Sequence, residues 1–181
     1  VIKTVYRVVE EFDPEVVVDM HEYATWKNFG KPDEPDSYTS AFDLKSTGSN
    51  NPNLSPGQRD LIFNQFISGV EEVISTNGMR FGLYHLADRA DEKIRVRESA
   101  TTFVSAKNAL GMGGRISLLL ESRGIGIGNQ HYNRRTTVHY FAARRILETA
   151  IAMEENLKKS VSSAREAYKN KKYWILRRDP V

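Results

Sequence analysis

Cysteine is absent from the 181 residues. That one absence excludes a disulfide framework, a thiolate metal site and a cysteine nucleophile, while leaving the compartment open. No Gly-Lys-Ser or Gly-Lys-Thr occurs, so a Walker-type phosphate loop is excluded as well. No apolar run approaches the roughly 20 residues needed to cross a bilayer, and nothing near Val1 has the shape of a signal peptide. An excess of one charge is also lacking: 26 basic residues against 23 acidic ones leave a net +3, which does not call for a nucleic-acid partner. What remains, 40% hydrophobic and 27% charged residues in a chain of single-domain size, is the composition of a globular domain with a core.

Periodicity organises the chain. Ile2, Val5, Val8 and Val9 fall at helical spacing and predict an opening helix over 2–11, broken at Asp13 and Pro14. Val16-Val17-Val18-Asp19-Met20 is a β-branched run that predicts a strand buried on both faces, ending at His21 and Glu22. Residues 25–55 are rich in Gly, Pro, Asp, Ser and Asn and predict a loop of about 30 residues, a length usually reserved for function. Ser55-Pro56-Gly57-Gln58 reads as a capping box with proline at the first helical position, and Asn77-Gly78 as that helix's stop. A strand is expected over 79–86 and a short helix over 101–110, closed by Gly111. Ile116 to Glu121 is a second unbroken apolar run, hence a second buried strand. Beyond Asn133, Val138, Ala142, Ile146, Met153, Leu157 and Val161 form one stripe and predict a single long amphipathic helix to Asn170. Residues 171–181 are a basic, aromatic tail, read as a chain leaving the domain or a docking strand for another one.

Two features compete for the functional role. Gly124, Gly126 and Gly128 follow a strand, but as G-x-G-x-G rather than the G-x-G-x-x-G of a dinucleotide site. They are better explained by a turn or a close backbone approach. The second feature is the polar group ending each buried strand, His21 on one and Glu121 on the other. If the strands run parallel, both face the crevice beyond the strand ends. An imidazole is a good zinc ligand, and a partly desolvated carboxylate can serve as a general base. Alone, a histidine or glutamate in such a place is more often a structural hydrogen-bond or ion-pair partner than a site residue.

The segment Phe12-Asp-Pro-Glu-Val-Val-Val-Asp-Met-His-Glu-Tyr23 resembles the part of zinc carboxypeptidases, the carboxypeptidase A-like metallopeptidases, that carries their third zinc ligand. Leu118-Leu-Leu-Glu-Ser-Arg-Gly-Ile-Gly126 resembles the strand bearing their catalytic glutamate, and the separation of 100 residues (121 − 21) suits the later half of that domain. The resemblance implies an α/β fold: a partial mixed sheet of about four strands with flanking helices, carboxypeptidase-like (phosphorylase/hydrolase-like). It implies His21 as a zinc ligand, Glu121 as the base that activates water, and Arg123 and Tyr84 as substrate-binding residues. Tyr84, 37 residues before Glu121 (121 − 84), is a match by residue type only. The family's other two zinc ligands, a histidine and a glutamate in H-x-x-E, would precede His21, where nothing supplies them. Residues 1–170 are therefore expected to be the C-terminal portion of such a domain, completed by an N-terminal part of the same protein and inactive by itself.

The implied function is zinc-dependent hydrolysis of a C-terminal peptide bond or a related amide, on a peptide or acylated amino acid, with no nucleic-acid partner and no membrane span. A non-catalytic binding or assembly domain of the same fold is the alternative, and a nucleotide-binding domain built on the glycines is a third reading.

Overall fold

The computed structural model describes residues 2–24, 40–90, 93–124 and 129–175. Among them a four-stranded mixed sheet runs in the order β1-β6-β2-β3. Strand β1 is Val16–Ala24, β2 Leu44–Gly48, β3 Phe81–Leu83 and β6 Ile116–Gly124, while β4 (His85–Ala90) and β5 (Lys93–Glu98) form a separate antiparallel hairpin. The expected mixed α/β architecture is thus the one found.

β6 is the sheet's centre because its sequence is apolar on successive positions. Ile116, Leu118 and Leu120 are fully buried on one face. Against that face pack Ile62 and Phe66, then Val70 and Ile74, and Val138, Ala142 and Ile146. These come from the π-helical segment Leu61–Ile67 and α3 (Ser68–Thr76), which continue α2 (Pro56–Asp60) without a break, and from α5 (Tyr132–Ala152). The rod starts as expected: the Ser55 hydroxyl accepts from the Gln58 N–H, and the Gln58 side chain returns to the Ser55 N–H. It stops at Gly78, whose φ of 69° only glycine adopts without strain.

Several expectations are corrected. Among the described residues β1 is an edge strand rather than one buried on both faces, with Met20, His21 and Glu22 exposed, because only β6 pairs with it there. It also continues three residues past His21. The long loop contains β2, which lies inside the sheet and is buried throughout. The strand expected over 79–86 divides at Tyr84 between two sheets. The short helix is α4, Ala106–Met112, capped at Gly113. The long helix is two: α5 ends at Met153, whose φ of −114° leaves the helical region, and α6 is Glu154–Lys169.

The tail does not leave the domain over its described part. Ile175 exchanges hydrogen bonds with the Asn53 side chain, and Lys171 Nζ donates to the Asn53 carbonyl. Residues 176–181, the loop over 25–39 and the turn at Gly126 and Gly128 lie outside the described residues. No helix among the described residues is long and apolar enough to cross a membrane.

Gln58 ties three elements together and is fully buried. Its amide donates to the carbonyls of Gly111 and Arg115, and its oxygen accepts from Tyr168. Gln58→Leu should therefore destabilise the chain by about 2 kcal/mol or more, the cost of stranding buried polar groups, read as a lowered urea midpoint with an unchanged slope.

Candidate active site

The sheet has two faces, and the one opposite the helical core carries His21, Glu121 and Arg123. β1 pairs with β6 in parallel register, which sets His21 directly beside Glu121. β2 pairs with β6 on its other edge, antiparallel, and sets Lys45 beside the same glutamate. Side chains alternate faces along a strand. His21, Glu121 and Lys45 therefore form one row across three strands, with Asp19 and Leu119 one row before it and Tyr23 and Arg123 one row beyond. The row lies within the strands, three residues short of the ends of β1 and β6, rather than at the strand ends.

Burial grades the row steeply. Glu121 is 9% exposed and Lys45 6%, whereas the His21 side chain is 55% exposed on the edge strand. Desolvation pushes the Glu121 carboxyl above the usual glutamate range; His21 and Lys45 pull it back, and Asp19 adds to the rise. Burial likewise pushes the Lys45 ammonium below the usual lysine range, with Glu121 opposing it. Tyr84 follows β3 directly, its N–H donating to the Ser46 carbonyl at 2.8 Å. Its phenol is raised by burial and then by the charge of Glu121. Tyr84 is thus within the electrostatic reach of Glu121.

His21 is held from two sides. Its Nε2 lies 2.7 Å from Asp19 Oδ1, a residue two earlier on the same strand face. Its carbonyl meets Nε2 of His139 on α5 at 3.1 Å, which pins the β1 backbone at this residue. The contact with Asp19 leaves Nδ1 as the donor for a metal, the carboxylate–histidine arrangement that orients metal-bound imidazoles. This fits one arm of a zinc site. Among the described residues, no group of three His, Cys, Asp or Glu could hold a metal ion.

Arg123 opens onto a cleft of about 340 Å³ at the far end of the sheet, which Arg80, Arg134 and Asp43 also line. Asp43 is already neutralised: Arg134 grips both its oxygens at 2.6 and 2.7 Å, and the Arg80 N–H adds a third bond at 2.8 Å. These bonds, that of Arg134 foremost, hold its carboxyl below the usual range against the pull of burial. Gly124 serves as a close approach, since a Cβ there would come within 2.9 Å of the Tyr23 carbonyl. It is not the left-handed corner of a phosphate loop.

With this geometry in place, the chain can be set beside known proteins. It is 31% identical over 142 residues to Carboxypeptidase 2 of Trichophyton rubrum, a stretch covering 78% of this chain and 26% of that protein. It is 33% identical over 141 residues to Probable carboxypeptidase 2 of Trichophyton verrucosum (strain HKI 0517), covering 77% and 27% respectively. Carboxypeptidase 2 of Trichophyton tonsurans matches at 32% over 141 residues. The chain thus spans about a quarter of the length of the curated relatives it matches. No protein-family model and no solved structure matches it.

Two site residues escaped sequence reasoning. Lys45 sits in Leu-Lys-Ser-Thr-Gly, which carries no strand pattern, so only the pairing of β2 brings it to Glu121. Asp19 could have been found: two residues before His21 on a strand, it must share that residue's face.

Because the folded state raises the Glu121 pKa, it holds that proton to higher pH than the unfolded chain does. Stability then falls as pH rises from the unfolded value, about 4.3, through the folded one. Glu121→Gln lacks this titration. Measured by chemical denaturation, its stability relative to wild type should improve as pH rises above about 4.3 and level off once the pH passes the raised pKa of Glu121 in the folded chain.

Proposed function

We propose that the chain is the glutamate-bearing portion of a zinc-dependent peptide hydrolase, cleaving a C-terminal residue or a related amide bond. The observation that carries this reading is the pairing of His21 with Glu121 across β1 and β6 on the face opposite the core. The similarity to proteins named Carboxypeptidase 2 supports the peptide-hydrolase part of this reading.

In this reading His21 is one metal ligand, oriented by Asp19, and the remaining ligands come from elsewhere in the protein. The zinc would supply Lewis acidity and a water whose pKa falls towards about 7. Glu121 takes the proton from the attacking water and returns it to the leaving amine. Its burial suits this, because a carboxylate with a raised pKa is a stronger base nearer neutral pH. Tyr84, with a phenol that stays protonated beside Glu121, is the donor to the substrate. Arg123 and its cleft receive a negative group of the substrate beyond the scissile bond.

In the full-length protein, Glu121→Gln should keep bound zinc and lower kcat by roughly 10²–10⁴-fold, the usual contribution of a general base. His21→Ala should lower zinc content itself. Metal analysis beside peptide hydrolysis separates the two effects, and substantial activity in the Glu121→Gln protein would remove Glu121 from the mechanism.

A further inference from the structure

Lys107 on α4 is a buried charge that the roles assigned so far do not use. It is 4% exposed, and burial pushes its ammonium down to about 8, with Glu98 on β5 opposing the fall. Among the described residues no carboxylate pairs with it. Its Nζ donates instead to Asn50 Oδ1 at 2.5 Å and, at 3.5 Å, to Asn108 Oδ1 and to the Ala100 carbonyl. An ammonium has donors only, so it draws the oxygen ends of both amides towards itself and leaves their NH₂ groups turned away.

Those NH₂ groups share one target. Asn50 donates to the Ser99 carbonyl at 3.1 Å, and Asn108 to the carbonyls of Ala100 and Thr102 at 2.8 and 3.0 Å. Asn51 adds a bond to the Thr101 carbonyl at 2.8 Å. Each carbonyl from Ser99 to Thr102, in a stretch without regular structure, is thus held by a side chain.

Ser99 is also the foot of the β4–β5 hairpin. His85 faces Glu98 across that hairpin, so the chain enters it at Tyr84 and leaves it at Ser99. Among the described residues β4 and β5 pair only with each other, and a two-stranded hairpin has little stability of its own. Its base is therefore placed by what grips it. On the entering side the Tyr84 N–H bonds the Ser46 carbonyl and the Phe42 ring sits edge-on to His85. On the leaving side the grip is the amide clamp. Tyr84, Asn50, Glu98 and Thr101 line one cleft, so the clamp and the phenol border the same space.

We infer that Lys107 is a positioning residue for Tyr84: by fixing the orientation of the Asn50 and Asn108 amides it holds the hairpin base, and with it the phenol within reach of Glu121. The catalytic role of Tyr84 rests on the peptidase reading, whereas its placement by Lys107 does not.

The test has two parts. In the first, the tyrosine ring signals of the chain are followed by NMR. Lys107→Met should move the Tyr84 signals and leave those of Tyr140, exposed on α5, in place. Asn50→Ala, at a partly exposed residue, cuts the same link and should move Tyr84 in the same way, which keeps the test open if Lys107→Met does not fold. Unchanged Tyr84 signals in either folded variant would overturn the proposal. Equal disturbance at Tyr140 would make Lys107 a general support of the fold, and would overturn it too.

In the second, the full-length protein is assayed on a peptide. Lys107→Met should lower kcat by about 10- to 100-fold, the scale of a small displacement of a group near the chemistry, with a smaller change in KM. In a Tyr84→Phe background the same substitution should change nothing further, because it acts through a phenol already removed. The same loss in both backgrounds would mean that Lys107 acts elsewhere, and would sink the proposal. If the Tyr84 signals move but Tyr84→Phe alone keeps full activity, the positioning stands and the role given to Tyr84 in hydrolysis falls.

Discussion

The parallel pairing of β1 with β6 is the constraint on which the rest depends. Side chains on a strand repeat with period two, so a slip of one residue would send His21 into the helical core and leave Met20 beside Glu121. The register is protected by the other face. Val16, Val18 and Met20 of β1 stand beside Ile116, Leu118 and Leu120 of β6, and those β6 residues are fully buried against the helices. Hydrophobic packing on one side of the sheet thus fixes which polar groups meet on the other.

That polar side is costly to build. Glu121 and Lys45 are both nearly buried, and each is shifted towards its neutral form by desolvation. Well-packed apolar residues would hold the same strands at least as firmly. Their presence in the middle of a sheet, away from the hydrophobic core, is the pattern of a site where stability is given up for reactivity. The exposed pairs elsewhere, such as Glu154 with Lys158 on α6, carry no such implication, since solvent-exposed ion pairs contribute little.

The parts legible in the sequence were those whose local and tertiary demands coincide. The capping box at Ser55 is a local hydrogen-bond pattern, and the stop at Gly78 a local backbone requirement. Ile116 to Glu121 declares its burial by composition. β2 was illegible because Lys45, Ser46 and Thr47 are buried through pairing with β6 and β3 rather than by their own hydrophobicity. The division at Met153 was hidden because the apolar stripe continues across it, from Ile146 to Leu157, and periodicity does not register a one-residue departure in φ. Of the candidate site, His21, Glu121, Arg123 and Tyr84 could be named from residue type and resemblance, but Lys45 needed the sheet order.

The base role proposed for Glu121 requires that strand pairing, by burying the carboxyl, raise its pKa. A ¹³C NMR titration of the Glu121 side-chain carboxyl in the folded chain tests it most directly. The carboxyl should titrate clearly above the ordinary glutamate value of about 4.3. Titration at or below that value would mean that the carboxylate is solvated or paired, and would contradict the account.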